Sequence, residues 1–87
     1  VMSNELIKEL CNTPGVPGCE DEISKIVIRE IENSCTRYIK DPMGNLIFQV
    51  NKTIPNAYTI LVDAHMDEVG FIISHIEENG MLIVIPL

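Results

Sequence analysis

The sequence is poor in basic residues and has no long apolar run. Only 6 lysine and arginine residues stand against 13 aspartate and glutamate residues among its 87 residues, and the basic ones are scattered without interleaved aromatic side chains. Binding to nucleic acid depends on clustered positive charge, so nucleic acid is not a predicted partner. No apolar stretch approaches the roughly 20 residues that span a membrane, and the first residues show neither the basic segment nor the apolar core of a signal peptide, so we expect none. We predict a chain with no membrane partner.

Cysteine is also scarce. Cys11, Cys19 and Cys35 are odd in number and have no Cys-x-x-Cys spacing, which indicates free thiols and a reduced, cytoplasmic location. We expect these thiols to pack in or beside helices as small apolar residues. A catalytic thiol is the alternative, but no histidine lies near any of the three in sequence.

Hydrophobic periodicity predicts an α/β fold with two helices packed on a mixed β-sheet. A first helix, capped by Ser3 or Asn4, runs to the Pro14-Gly15 breaker, and a second begins near Cys19 with an apolar face that extends to Cys35. Strands are predicted at residues 36–40 and 46–50, at a buried central stretch 59–62, and at a hairpin of 69–76 and 81–85 with an Asn-Gly turn. So short a chain would bury only about two thirds of its unfolded surface. Because residues 81–87 form an apolar run without a polar cap, we expect an incomplete domain.

The most informative stretch is residues 59–70, where an apolar run leads into His65, Asp67 and Glu68. If the backbone is extended, His65 and Asp67 project to one face, while Met66 and Glu68 project to the other. A metal-bound histidine usually donates its second ring N–H to a carboxylate. The spacing therefore fits a metal ligand with its orienting acid. A solvated His–Asp pair at a strand end is the alternative.

Three motifs in the same order resemble the M42 family of metallo-aminopeptidases, the glutamyl and deblocking aminopeptidase group. Residues 65–71 read HMDEVGF and are followed by IEENG at 76–80; residues 13–22 read TPGVPGCEDE, and residues 41–46 read DPMGNL. The resemblance runs along essentially the whole chain. Members of that family are much longer, so the resemblance implies an amino-terminal portion.

The resemblance implies hydrolysis of amino-terminal residues from peptides by a co-catalytic pair of divalent ions, zinc or cobalt. His65 matches the first histidine ligand, and Asp67 matches the catalytic-site carboxylate behind it. The other ligands and the general base of the family lie downstream, so the 87-residue chain alone is predicted to be inactive. Residues 1–68 would begin the catalytic domain, and residues 69–87 would begin an inserted β-rich domain used in homo-oligomer assembly.

The same residues allow other interpretations. The leading alternative is a small non-enzymatic α+β module that binds a partner through its apolar hairpin, with His65 structural. A glycosidase would need Asp67 and Glu68 on one face, whereas strand neighbours point to opposite faces. Asp63 could support His65, and His75 fits a half-exposed hairpin residue better than a ligand. The Gly15 and Gly18 pair lacks the preceding strand of a phosphate cradle and is followed by acids.

Overall fold

The computed structural model describes residues 4–87, which form two helices and two separate antiparallel hairpins. The helices are α1 (Asn4–Asn12) and α2 (Asp21–Ile31), and a single 3-10 turn (Glu32–Ser34) follows α2. The strands are β1 (Arg37–Lys40), β2 (Leu46–Gln49), β3 (Phe71–Ile76) and β4 (Leu82–Pro86). The α/β class is confirmed. None of the helices in the described range is long and apolar enough to span a membrane.

The two helices face each other through an apolar cleft of about 210 Å³. Its lining is Leu6, Leu10, Ile26, Val27, Glu30 and Ile31. At the rim, both terminal nitrogens of Arg29 on α2 donate to the two carboxylate oxygens of Glu9 on α1, each at 2.7 Å. The hydrogen bond from Arg29 holds the pKa of the Glu9 carboxyl below its ordinary value. This bidentate pair links the exposed sides of the two helices.

The predicted helix bounds were close, with one error at each end of α2. That helix begins at Asp21 because residues 16–19 form a turn, in which Gly18 has φ 86° and the amide of Cys19 donates to the Val16 carbonyl at 2.9 Å. It ends at Ile31, so Cys35 lies outside its apolar face. Cys11 and Cys19 are exposed free thiols, not the packed apolar residues expected. The predicted cap at Ser3 lies outside the described residues.

Both predicted hairpins are present, and they close with the same kind of turn. Gly44 at φ 89° donates its amide to the Asp41 carbonyl, and Gly80 at φ 86° donates to the Glu77 carbonyl, both at 3.0 Å. This is a tight turn followed by a left-handed residue, a position that glycine occupies without strain. Asn79 does not share the positive φ, as an Asn-Gly mirror-image turn would require. Its side-chain oxygen instead accepts from the Met81 amide at 3.0 Å.

We expect the first hairpin to lose order in acid because of Asp41. Its carboxylate accepts hydrogen bonds from the side chain and amide of Asn45 and from the amide of Met43, at 2.8 to 2.9 Å, and these bonds lower the pKa of Asp41 from 3.8. Since the folded pKa lies below the unfolded one, the stabilisation is complete above about pH 4 and is lost as the pH falls through the folded value. The amide chemical shifts of Met43 and Asn45, followed from pH 6 to 2, measure this loss.

Asp41→Asn should remove that acid-linked change, whereas the matched variant Asp63→Asn, on an exposed stretch, should leave it intact. Equal titration of both amides in the parent and in Asp41→Asn would contradict this role of the carboxylate.

The predicted mixed sheet is wrong for the described residues, because each sheet contains only its own two antiparallel strands. Residues 59–62, expected as a buried central strand, belong to no strand, and Ile60, Leu61 and Val62 are 82 to 88% exposed. Neither helix makes extended packing contact with a strand in residues 4–87. A stretch this apolar becomes a central strand only where partner strands cover both edges, and the described residues supply none.

The packed core is correspondingly small. Within the described residues the buried apolar side chains are Ile23 and Ile26, both on α2. The accessible surface is 7773 Å², whereas a folded monomer of this size exposes about 5,100 Å². The radius of gyration is 17.8 Å, against about 12 Å for a compact domain of this length. Much of the apolar surface that the sequence provides is therefore still open to solvent.

Candidate functional site

His65 and Asp67 meet in the stretch that connects the two hairpins. The Nδ1 atom of His65 lies 3.0 Å from Oδ1 of Asp67 and 3.0 Å from the backbone carbonyl oxygen of the same residue. The expected meeting of imidazole and carboxylate is therefore confirmed, although the surrounding backbone forms no strand.

These contacts determine the tautomer of the imidazole. A backbone carbonyl can only accept a hydrogen bond, so Nδ1 of His65 must carry the proton that both oxygens of Asp67 share. The lone pair of the neutral ring is then on Nε2. The His65 side chain is 85% exposed and that of Asp67 is 44% exposed. A neutral imidazole of this tautomer, on an exposed side chain, is the form of histidine that binds a metal.

The backbone on either side of Asp67 lies against the turn between α1 and α2. The amide of Glu68 donates to the Gly15 carbonyl at 2.8 Å, and the amide of Gly15 donates to Oε1 of Glu68 at 3.3 Å. Gly70 lies so close to Val16 that a Cβ on Gly70 would be 2.9 Å from the Cβ of Val16. Sequence reasoning placed Glu68 on the face opposite the His–Asp pair but did not identify Gly15 as its partner.

Neither Asp63 nor His75 joins the pair. Asp63 makes no hydrogen bond or ion pair in residues 4–87. His75 lies in β3 opposite Ile83, next to a bulge at Ser74. Asp67 and Glu68 are directed to different partners, which is the divergence that argued against a glycosidase. No group of three histidine, cysteine or acidic side chains in the described part of the chain could hold a metal ion.

A sequence model described as M42 glutamyl aminopeptidase matches residues 44–87, a range that includes the His65–Asp67 pair and the second hairpin. The match begins at Gly44, the last residue of the turn that closes the first hairpin. About half of the chain is covered.

Similar proteins extend the match across the amino-terminal half. FrvX of Escherichia coli (strain K12) is 35% identical over 81 residues, covering 93% of this chain and 22% of FrvX. The lysyl aminopeptidase of Pyrococcus furiosus is 32% identical over 84 residues, covering 95% of this chain and 23% of that enzyme. The glutamyl aminopeptidase of Lactococcus lactis subsp. cremoris is 43% identical over 47 residues, covering 54% of this chain and 13% of that enzyme.

The chain spans about a fifth of the length of the relatives that it matches along most of its own length. The family match and these relatives agree with the three motifs noted in the sequence. The chain therefore belongs to the M42 glutamyl aminopeptidase family.

Proposed function

We propose that this chain is the amino-terminal part of a metal-dependent aminopeptidase that removes amino-terminal residues from peptides. The observation that carries the proposal is the His65–Asp67 contact, in which Nδ1 is held at 3.0 Å from the carboxylate, so that Nε2 remains for a ligand. His65 would hold one of two divalent ions, zinc or cobalt. Asp67 would orient its ring from behind.

The donor set of this segment fits such an ion. A neutral imidazole nitrogen is a preferred zinc ligand, and the carboxylate behind it fixes the ring orientation and makes the nitrogen more basic. When bound, the two metal ions would polarise the substrate carbonyl and lower the pKa of a bound water. The residues of this chain have a narrower role. Asp67 accepts a hydrogen bond from Nδ1–H of His65, which keeps the proton on Nδ1 and holds the ring in one orientation.

Further ligands are needed. A catalytic zinc site has about three protein ligands and one open position, and within residues 4–87 no cluster of three donor side chains is formed. We propose that the remaining ligands and the general base come from the part of the enzyme that the relatives have in addition, about four fifths of their length. We further propose that residues 1–68 belong to the catalytic domain and that 69–87 begin an inserted β-rich domain through which copies assemble. The three free thiols support a cytoplasmic location.

From the ligand count we predict that the purified 87-residue chain has no peptidase activity and binds zinc or cobalt only weakly. A lone histidine with one supporting acid cannot hold the ion firmly or supply a base for the attacking water. The test combines calorimetric titration with Zn²⁺ and Co²⁺ and assays on amino-terminal amide substrates. The full-length enzyme, assayed in parallel, should hydrolyse them and lose activity with a chelator. Chelator-sensitive hydrolysis by the rigorously purified 87-residue chain would refute the prediction.

A second candidate is a non-enzymatic module that binds a partner through the β3–β4 hairpin. The observation in its favour is the exposure of Phe71, Ile72 and Ile76 on β3, which are 55 to 62% exposed. This function would not depend on the His65 side chain. A full-length protein that neither binds divalent metal nor hydrolyses any aminopeptidase substrate would favour it.

A further inference from the structure

Gly15 and Glu68 bond to each other twice, although 53 residues separate them. The backbone amide of Glu68 donates to the Gly15 carbonyl, and the Gly15 amide donates to the Glu68 side chain. We name this reciprocal pair the 15–68 clamp. It joins the turn that precedes α2 to the segment that carries the His65–Asp67 pair.

The side chain of Glu68 supplies the hydrogen-bond acceptor in the clamp. Gly15 is buried, and a buried amide must find an acceptor because an unpaired one costs about 1 to 3 kcal/mol. The acceptor is Oε1 of Glu68. This role depends on the length of the side chain and on an oxygen at its end, not on negative charge.

Both ends of the clamp are close-packed against α2 and its preceding turn. A Cβ on Gly15 would lie 3.3 Å from Cγ2 of Ile23 and 3.6 Å from the carbonyl oxygen of Met66, and Ile23 is only 6% exposed. Gly70 packs against Val16 on the far side of Glu68. The segment is therefore fixed to the rest of the molecule immediately before and after Asp67.

His65 has no comparable support of its own. Its ring is 85% exposed, and both of its hydrogen-bond partners belong to Asp67. The chain of support thus runs from α2 through Gly15 and Glu68 to the backbone of Asp67, and from Asp67 to the imidazole.

We propose that Glu68 is a positioning residue, which acts through the 15–68 clamp to hold Asp67 where it can orient His65 toward a divalent ion. This inference rests on the proposed function, since it gives the clamp a role in metal binding. Glu68 itself does not touch the ion or the substrate. Losing the clamp should act like losing an outer-shell partner, which typically lowers metal affinity about 10 to 100-fold.

The test compares two substitutions at Glu68 in the full-length enzyme. Glu68→Gln keeps the length and a side-chain oxygen but removes the charge, while Glu68→Asp keeps the charge but is one methylene too short to reach the Gly15 amide. Apparent dissociation constants for Co²⁺, from calorimetry on the metal-free protein, are the main readout. Melting temperatures give the structural effect separately. Glu78→Gln, an exposed carboxylate at the tip of the second hairpin, is the control.

We expect Glu68→Gln and Glu78→Gln to bind Co²⁺ within about threefold of the parent, and Glu68→Asp to bind it at least about tenfold more weakly. The opposite order, with Asp retaining and Gln losing affinity, would overturn the proposal and indicate that charge is what matters. Equal Co²⁺ affinity in all variants, with only the melting temperature lowered in Glu68→Asp, would also overturn it, leaving a purely structural contact.

Two controls separate this proposal from the proposed function. If the parent binds Co²⁺ and His65→Ala abolishes binding at one position, the function stands and the Glu68 variants decide the clamp alone. If the parent binds no divalent ion, the proposed function fails and the positioning role fails with it. If Glu68→Asp does not fold, Glu68→Gln remains a test of the proposal. A loss of Co²⁺ affinity in that variant would contradict a clamp that depends on the length of the side chain and not on its charge.

Discussion

Under the proposed function, His65→Ala in the full-length protein should empty one metal position, whereas Asp67→Asn should only weaken metal binding there. The first substitution deletes the nitrogen that would bind the ion. In the second, the amide oxygen can still accept a hydrogen bond from Nδ1–H of His65 at the observed 3.0 Å, but the negative charge behind the ring is gone. We therefore expect Asp67→Asn to lose about 10 to 100-fold in metal affinity or activity and His65→Ala to lose more.

Metal content by elemental analysis and dissociation constants by calorimetry measure the two effects. Asp67→Asn should recover activity when the metal concentration is raised, whereas His65→Ala should not. Asp63→Asn, two residues before His65 and without a polar contact in the described residues, is the matched control and should bind metal like the parent. If both His65→Ala and Asp67→Asn bound metal as tightly as the parent, the pair would be only a structural contact at the surface.

The isolated 87-residue chain should self-associate and bind a hydrophobic dye. Its surface is about half as large again as that of a compact monomer of this size, and the stretch 59–62 is apolar, exposed and unpaired. Exposed extended segments and open strand edges recruit strands from other molecules. Light scattering should give a mass above the monomer that rises with protein concentration.

Substitutions can identify which surface causes the self-association and the dye binding. Val62→Lys, at a side chain that is 88% exposed, should reduce both the mass and the dye binding. Ile54→Lys, at a position 66% exposed in the preceding loop, is the comparison and should change them less. A monodisperse monomer that binds no dye would show that the exposed apolar surface does not cause self-association.

The features that were predicted correctly from the sequence depend on residues that are close together along the chain. The turns at Gly44 and Gly80 follow from residue types within five positions, and both hairpins were placed within two residues of their observed ends. The His65–Asp67 contact needs only a spacing of two. In contrast, a central strand at 59–62 depends on neighbouring strands, and its sequence carries no information on whether they are present. The partnership of Gly15 with Glu68 spans 53 residues and has no periodic signal.

The repeated turn also has a consequence for the order in which the chain folds. Each hairpin closes through contacts between residues near in sequence, and such hairpins form in about 1 to 10 µs. The 15–68 clamp must instead close a long loop, whose entropic cost grows with its length. The hairpins should therefore exist before Gly15 finds Glu68. The imidazole of His65 would then be among the last groups in the molecule to take up its final orientation.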